Sequence, residues 1–302
     1  MNKVQELVKK ELITPPSWLP ESIVYLVYTG SVAYGASSDT SDMDCYGIAV
    51  PNRDQVFPHL RGEIPGFGSQ IQRFEQWQQH HIFDISELGG KGREYDFSVY
   101  SIVKFFQLAM EGNPNIVDCL FVPHTCVLHS TQIGNLIREN RHVFLHRGYW
   151  HKFKGYAFSQ KAKLRAKSHS ENEKRMADIE KFGFDCKFAY HIVRLLLEIE
   201  QILTEGDMDL QRHKEQLKAI RRGEWDLDQI EQFFSDKERQ LEEVYNTCTI
   251  LPYRPDEPYR KRLLLQCLEM HYGSLEGVYH EPDRYAEALK QIREIVDRVQ
   301  LQ

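Results

Sequence analysis

Asp42 and Asp44 are the two residues whose type and spacing most directly suggest chemistry. Side chains two apart on a strand leave the same face. At about 5 Å and an effective dielectric of ~20, two carboxylates repel by roughly 3 kcal/mol. Such a pair is costly unless a cation holds it, and carboxylate oxygens completed by phosphate oxygens suit Mg²⁺. Upstream lies Thr29-Gly30-Ser31. Gly30 allows a phosphate to approach the backbone with no Cβ in the way. Ser31 adds a hydroxyl and stands where a helix would begin, a position whose amides attract anions. A lone Asp-x-Asp is ordinarily a solvated acidic turn. Here an apolar strand, a Gly-Ser turn and the acid pair follow one another within residues 23–44, which points to a phosphate and cation site.

The elements that must position these residues are legible in outline. Ile23 to Tyr28 is β-branched and aromatic and reads as a strand. Asp44 to Val50 reads as a second strand, stopped by Pro51. Residues 53–68 are punctuated by Pro58, Gly62, Pro65, Gly66 and Gly68 and read as loop. An irregular strand is expected over 74–83 and a short one over Tyr95 to Phe97. From Val99 the period becomes helical, with Val99, Ile102, Val103, Phe106 and Ala109-Met110 on one face, ended by Gly112 and Asn113-Pro114. An amphipathic helix near the start turns Val4, Leu7, Val8 and Leu12 inward. Beyond 125, helices are expected near 131–141, 150–168, 171–203, 209–222, 226–247, 257–271 and 283–300. The fold class is therefore α+β: a small mixed-sheet domain over 1–125, then a mostly α-helical domain over 126–302.

Composition narrows the class. The 302 residues are 41% hydrophobic and 27% charged, which excludes collagen-like, disordered and rod-like chains. The net charge of −6 excludes a basic coat for nonspecific nucleic-acid binding, but not a local basic patch. No apolar run approaches membrane-spanning length, and the first residues lack the apolar stretch of a signal peptide. The six cysteines show no CxxC pair and no zinc spacing. They read as reduced thiols of a cytoplasmic protein.

The Gly-Ser/Asp-x-Asp pattern resembles the DNA polymerase beta-like nucleotidyltransferase superfamily. Later stretches resemble, more narrowly, the polymerase-beta-like family linked to RNA repair and its phage-encoded relatives. They are Tyr95 to Ser101 with Lys104-Phe105, Gly112 to Asn115, Lys152 to Ala157, and Asp185-x-Lys187-x-Ala189-x-His191-x-x-Arg194-Leu195. The resemblance covers about residues 22–272 and implies a bacterial or phage-encoded protein. It also implies a third carboxylate on a neighbouring strand; Asp96 matches the family position, with Asp84 and Glu94 as competitors. Asp42, Asp44 and Asp96 would then hold two Mg²⁺ ions, with Mn²⁺ as the substitute. The implied reaction is in-line transfer of NMP from an NTP to a hydroxyl, on RNA such as a tRNA end. The same site could attach AMP to a protein Tyr, Ser or Thr, or bind a nucleotide without turnover.

The helical half offers two basic features. Asn140 to Ser170 contains no acid but carries Lys152, Lys154 and Lys161 among aromatics that include Tyr156. That interleaving suits phosphates and stacked bases of an RNA acceptor, or a plain solvated helix face. Near residues 184–200, Phe188, Ile192, Leu195 and Ile199 form an apolar stripe beside a second stripe of Lys187, His191 and Arg194. The second stripe needs an anionic partner: the triphosphate, the acceptor, or Asp185 and Glu198 on the same helix. The family motif favours nucleotide binding by Lys187, His191 and Arg194 together with Gly30 and Ser31. His191 also reads as a structural histidine, and Lys104 and Asp118 as structural charges.

Overall fold

The structure is a computed structural model that describes residues 1–37, 41–57, 62–64, 66–68, 72–166, 173–273 and 292. A five-stranded mixed sheet of order β3-β4-β2-β1-β5 organises the N-terminal part. Its strands are β1 (Ile23–Tyr28), β2 (Met43–Ala49), β3 (Gln76–Asp84), β4 (Arg93–Ser101) and β5 (Val127–Ser130). All neighbours pair antiparallel except β2 and β4, which run parallel with Asp44 opposite Asp96.

Side-chain alternation decides where the acids go. Met43, Cys45 and Ala49 of β2 and Tyr95, Phe97 and Val99 of β4 pack on one face of the sheet. That face is covered by α1 (Lys3–Lys9), through buried Val4 and Leu7. Ile48 and Tyr100 point the other way, into the core shared with the helices. With a period of two, Asp44 and Asp96 must share that second face.

Several short helices accompany the sheet: α2 (Gly30–Ala33), α3 (Arg53–Val56), α4 (Ile102–Met110) and α5 (Pro114–Phe121). After β5 follow α6 (Gln132–Glu139), α7 (Tyr149–Ala166), α8 (Glu173–Phe182), α9 (Cys186–Glu205), α10 (Lys214–Arg221), α11 (Leu227–Thr247) and α12 (Glu257–Tyr272). The α+β class is as expected. Helix α9 is the central post: α7, α10 and α11 pack around it, and Phe188, Ile192, Leu195 and Ile199 are all buried. No described helix is long and apolar enough to cross a membrane.

Some local expectations change. Strand β4 extends over nine residues, because Tyr95, Phe97 and Val99 continue one apolar alternation. Val99 is therefore strand, and Val103 is exposed. The helix expected over 171–203 breaks between α8 and α9, where Gly183 takes φ +82°. β5 and α6 lie beyond residue 125 yet pack on β1. The helix expected over 283–300 falls outside the described residues, apart from residue 292.

Candidate active site

A cleft of about 250 Å³ opens where β1 and β2 meet the helices. One wall carries Gly30, Ser31, Asp42, Asp44 and Asp96. The end of β1 is pinned to β2 there: the Thr29 amide donates to the Asp44 carbonyl at 2.8 Å. Gly30 then turns with φ +58°, and a Cβ on it would overlap Asp44 Oδ2. Glycine is thus required twice, for the left-handed conformation and for the carboxylate lying against its backbone.

Burial raises the Asp44 pKa. Lys187 opposes that rise, the Asp96 and Asp42 charges reinforce it, and His80 opposes it. Asp96 accepts the His81 backbone N–H at 2.7 Å, and His80 Nδ1 lies 3.7 Å from the same carboxylate. A bulge in β3 between Gln79 and Ile82 makes this approach possible, with His81 at φ +57°. The His81 ring bonds Glu94 at 2.6 Å, which raises the histidine pKa.

Of the candidates for a third carboxylate, Asp96 lines the cleft. Asp84 faces α1 instead. Burial works against its charge, but bonds from Lys10 and Ser86 outweigh that and hold its pKa at about 2. Glu94 is engaged by His81, and ligand atoms of His81, Glu94 and Asp96 all lie within 4.8 Å of one another. The donor set at the cleft, carboxylates beside a glycine turn, fits a hard divalent cation.

The facing wall comes from three helices. It presents Arg175 and Asp178 of α8, Lys187, Tyr190 and His191 of α9, and Arg221 of α10. Buried Asp185 caps α9 by accepting the Lys187 amide at 2.9 Å, and it also accepts Arg175 Nε at 2.7 Å. The Asp-x-Lys pair of the sequence is therefore a helix start that places Lys187 at the cleft. Arg221 donates to the Ala36 carbonyl at 2.9 Å, and Gln211 to the Ala33 carbonyl at 3.1 Å. These bonds hold α10 and the turn before it against the segment that follows Gly30 and Ser31. His191 has a pKa well below its usual value, first through burial and then through Arg194, Lys187, Arg221 and Arg175. It is a neutral imidazole among cations.

The remaining expected contacts are distributed differently. Arg194 is buried away from this cleft. Its Nη1 donates to Asp118 at 2.5 Å, to the Tyr34 hydroxyl at 2.6 Å and to Glu198 at 3.0 Å. Glu198 is the same-helix partner that the sequence offers, and Asp118 of α5 is the second. On α7, Lys154 pairs with Glu238 and Glu242 of α11, each at 3.0 Å. Lys161 lies over the Phe234 ring at 4.0 Å, and Lys152 stands 3.8 Å from Glu111. Tyr156 alone of that group lines a cavity next to the cleft. Sequence reasoning missed Arg175, Tyr190 and Arg221. Tyr190 was within reach, since it sits three residues after Lys187 on the same helix face. Arg175 and Arg221 carry no local signal.

A Gly-Ser turn packed on a strand of acids, with cations facing it, is the layout of a polymerase-beta-like nucleotidyltransferase. The sequence narrows this further: the model of RlaP, the RNA repair pathway DNA polymerase beta family, matches residues 1–250, and the chain belongs to that family. No curated protein matches the chain.

Proposed function

We propose that this protein transfers NMP from an NTP to a hydroxyl at the end of an RNA, in a Mg²⁺-dependent reaction. The observation that carries the reading is the two-walled cleft, with Asp42, Asp44 and Asp96 facing Arg175, Lys187, His191 and Arg221. A nucleoside triphosphate needs such a site, because its charge requires cations while its reacting phosphorus requires a divalent metal.

Gly30 and Ser31 would cradle phosphate oxygens through their amides and the serine hydroxyl. Lys187 and Arg221 offset the charge of the triphosphate, and His191 donates a hydrogen bond to it. Asp42, Asp44 and Asp96 would hold the metal, with Mn²⁺ as a substitute. When bound, the metal supplies Lewis-acid activation of the acceptor and of the pyrophosphate leaving group. Asp96 orients the acceptor hydroxyl and takes its proton as the oxygen bonds to the α-phosphorus. The bond from that phosphorus to the bridging oxygen breaks, and pyrophosphate leaves with the electron pair. The RNA acceptor rests on the RNA repair description of the family. Six buried, free cysteines support a reducing compartment such as the cytoplasm.

The test is transfer of label from each α-labelled NTP to total cellular RNA and protein extract with Mg²⁺, using Asp42→Asn and Asp44→Asn as controls. Label on RNA that both variants lose, by about 10³-fold or more, is the expected result. Label on protein instead would replace the acceptor with a protein hydroxyl. Full activity in both variants would end the reading.

A further inference from the structure

Past the cationic wall the cleft continues into a second cavity of about 260 Å³. Arg175, Lys187 and His191 line both spaces, so two cations and an imidazole stand between them. The far cavity differs in chemistry. Its walls include Phe188 and Leu195 of α9 and Tyr156 of α7, and its polar lining includes the carboxamides of Asn115 and Gln160. Tyr156 is 37% exposed and its hydroxyl oxygen accepts from Asn113 Nδ2 at 3.2 Å, which steadies the ring.

Arg194 supplies the second observation. It lines this cavity and is 4% exposed. Its Nη1 is consumed by Tyr34, Asp118 and Glu198, but its buried Nε–H has no partner among the described residues. A buried donor without an acceptor is costly, and a bound acceptor removes that cost. With two carboxylates already on its other side, the guanidinium is poorly placed to attract a further anion. A neutral acceptor fits better.

We propose that this cavity takes a nucleobase, with Tyr156 against its face and Asn115, Gln160 and the Arg194 Nε–H at its edge. Carboxamides bond both donors and acceptors on a base edge, and an aromatic ring covers its flat face. The proposal rests on the nucleotide reading of the adjoining cleft, because phosphates held by the shared cations leave the base to enter the second space. The base belongs to the NTP or to the terminal nucleoside of the acceptor, and the experiment separates the two.

Calorimetric titrations with Mg²⁺ would compare inorganic tripolyphosphate, each of the four NTPs and a short RNA with a free 3′ hydroxyl. The full-length wild type would be set against Tyr156→Ala, Tyr156→Phe and the double variant Asn115→Leu/Gln160→Leu. The expected result is that Tyr156→Ala weakens binding of NTP or of RNA by roughly 5- to 100-fold. Tyr156→Phe keeps most of the affinity, the double variant reduces discrimination among bases, and tripolyphosphate binds all proteins alike. Loss confined to NTPs assigns the base to the nucleotide; loss confined to RNA assigns it to the acceptor. Unchanged NTP and RNA affinities in Tyr156→Ala and the double variant would overturn the proposal. Failure of tripolyphosphate to bind the wild type would instead count against the phosphate reading of the cleft, leaving the base pocket to stand or fall on the variants.

Discussion

Two basic faces of the helical region meet opposite fates. Along α7, lysines and arginines follow one another in a stretch without acids, yet in space acids from other elements answer several of them. Lys154 meets Glu238 and Glu242, and Arg165 meets Glu231 at 2.6 Å. Around the start of α9 the local sequence is far less basic. There Lys187 and Arg221, brought together from separate helices, line a cleft against Asp42, Asp44 and Asp96. Charge segregation along a chain is therefore a poor guide to charge segregation in space. What matters is whether the facing element is an acidic helix or an open cleft.

The comparison can be broken at its acidic end first. Replacing Gly30 by Ala forces a side chain into a left-handed backbone position and into Asp44 Oδ2. A carboxylate displaced by about 1 Å is expected to lower kcat by roughly 100-fold. Wild-type turnover in Gly30→Ala would show that Asp44 is not held where the reaction needs it. Lys187→Ala should weaken tripolyphosphate binding by roughly 10- to 100-fold, the worth of a hydrogen bond to a charged group. Lys154→Ala should leave that binding unchanged. Equal losses in the two variants would erase the distinction between the faces.

A smaller effect concerns protons. His191 is neutral because burial and neighbouring cations depress its pKa. Polyphosphate bound beside it reverses that electrostatic balance and raises the pKa. At about pH 6 His191 should therefore take up a proton on binding, and His191→Gln should shift the net proton exchange, read from the change of binding enthalpy with buffer, toward release. The same depressed pKa means the unfolded chain binds a proton that folded His191 refuses. This contribution weakens folding as pH falls below about 6.5, and the substitution should flatten that slope. Smallest of all, Lys154→Ala should cost about 0.5–1 kcal/mol in a denaturant titration, the ordinary worth of a surface ion pair.

The Asp42 and Asp44 part of the acidic wall was legible because strand, Gly-Ser turn and Asp-x-Asp are adjacent in sequence. Asp96 was reached only through the family resemblance. Its place on the face of Asp44 follows from the full length of β4 and its parallel pairing with β2, which a helical reading of Val99 cuts short. The α9 stripe was only partly legible. Helical spacing put Lys187, His191 and Arg194 on one face, but 3.6-residue geometry does not reveal which of them is buried against Asp118 on another helix. Arg175 and Arg221 come from separate helices, so their convergence is a product of packing around α9. β5 was missed for the same kind of reason: four half-buried residues carry little apolar pattern, and pairing with β1 decides their conformation.

One unbroken set of buried side chains runs from Val24 and Val27 of β1, through Phe188 and Ile192 of α9, to Leu263 of α12. Among the described residues, β1, β2, α9 and α10 thus share one continuous core behind the acidic wall and most of the cationic one. The spacing of the two sides of the cleft is therefore a matter of side-chain packing in that core. Packing of this kind favours a preorganised site, in which less of the binding free energy goes into ordering the walls.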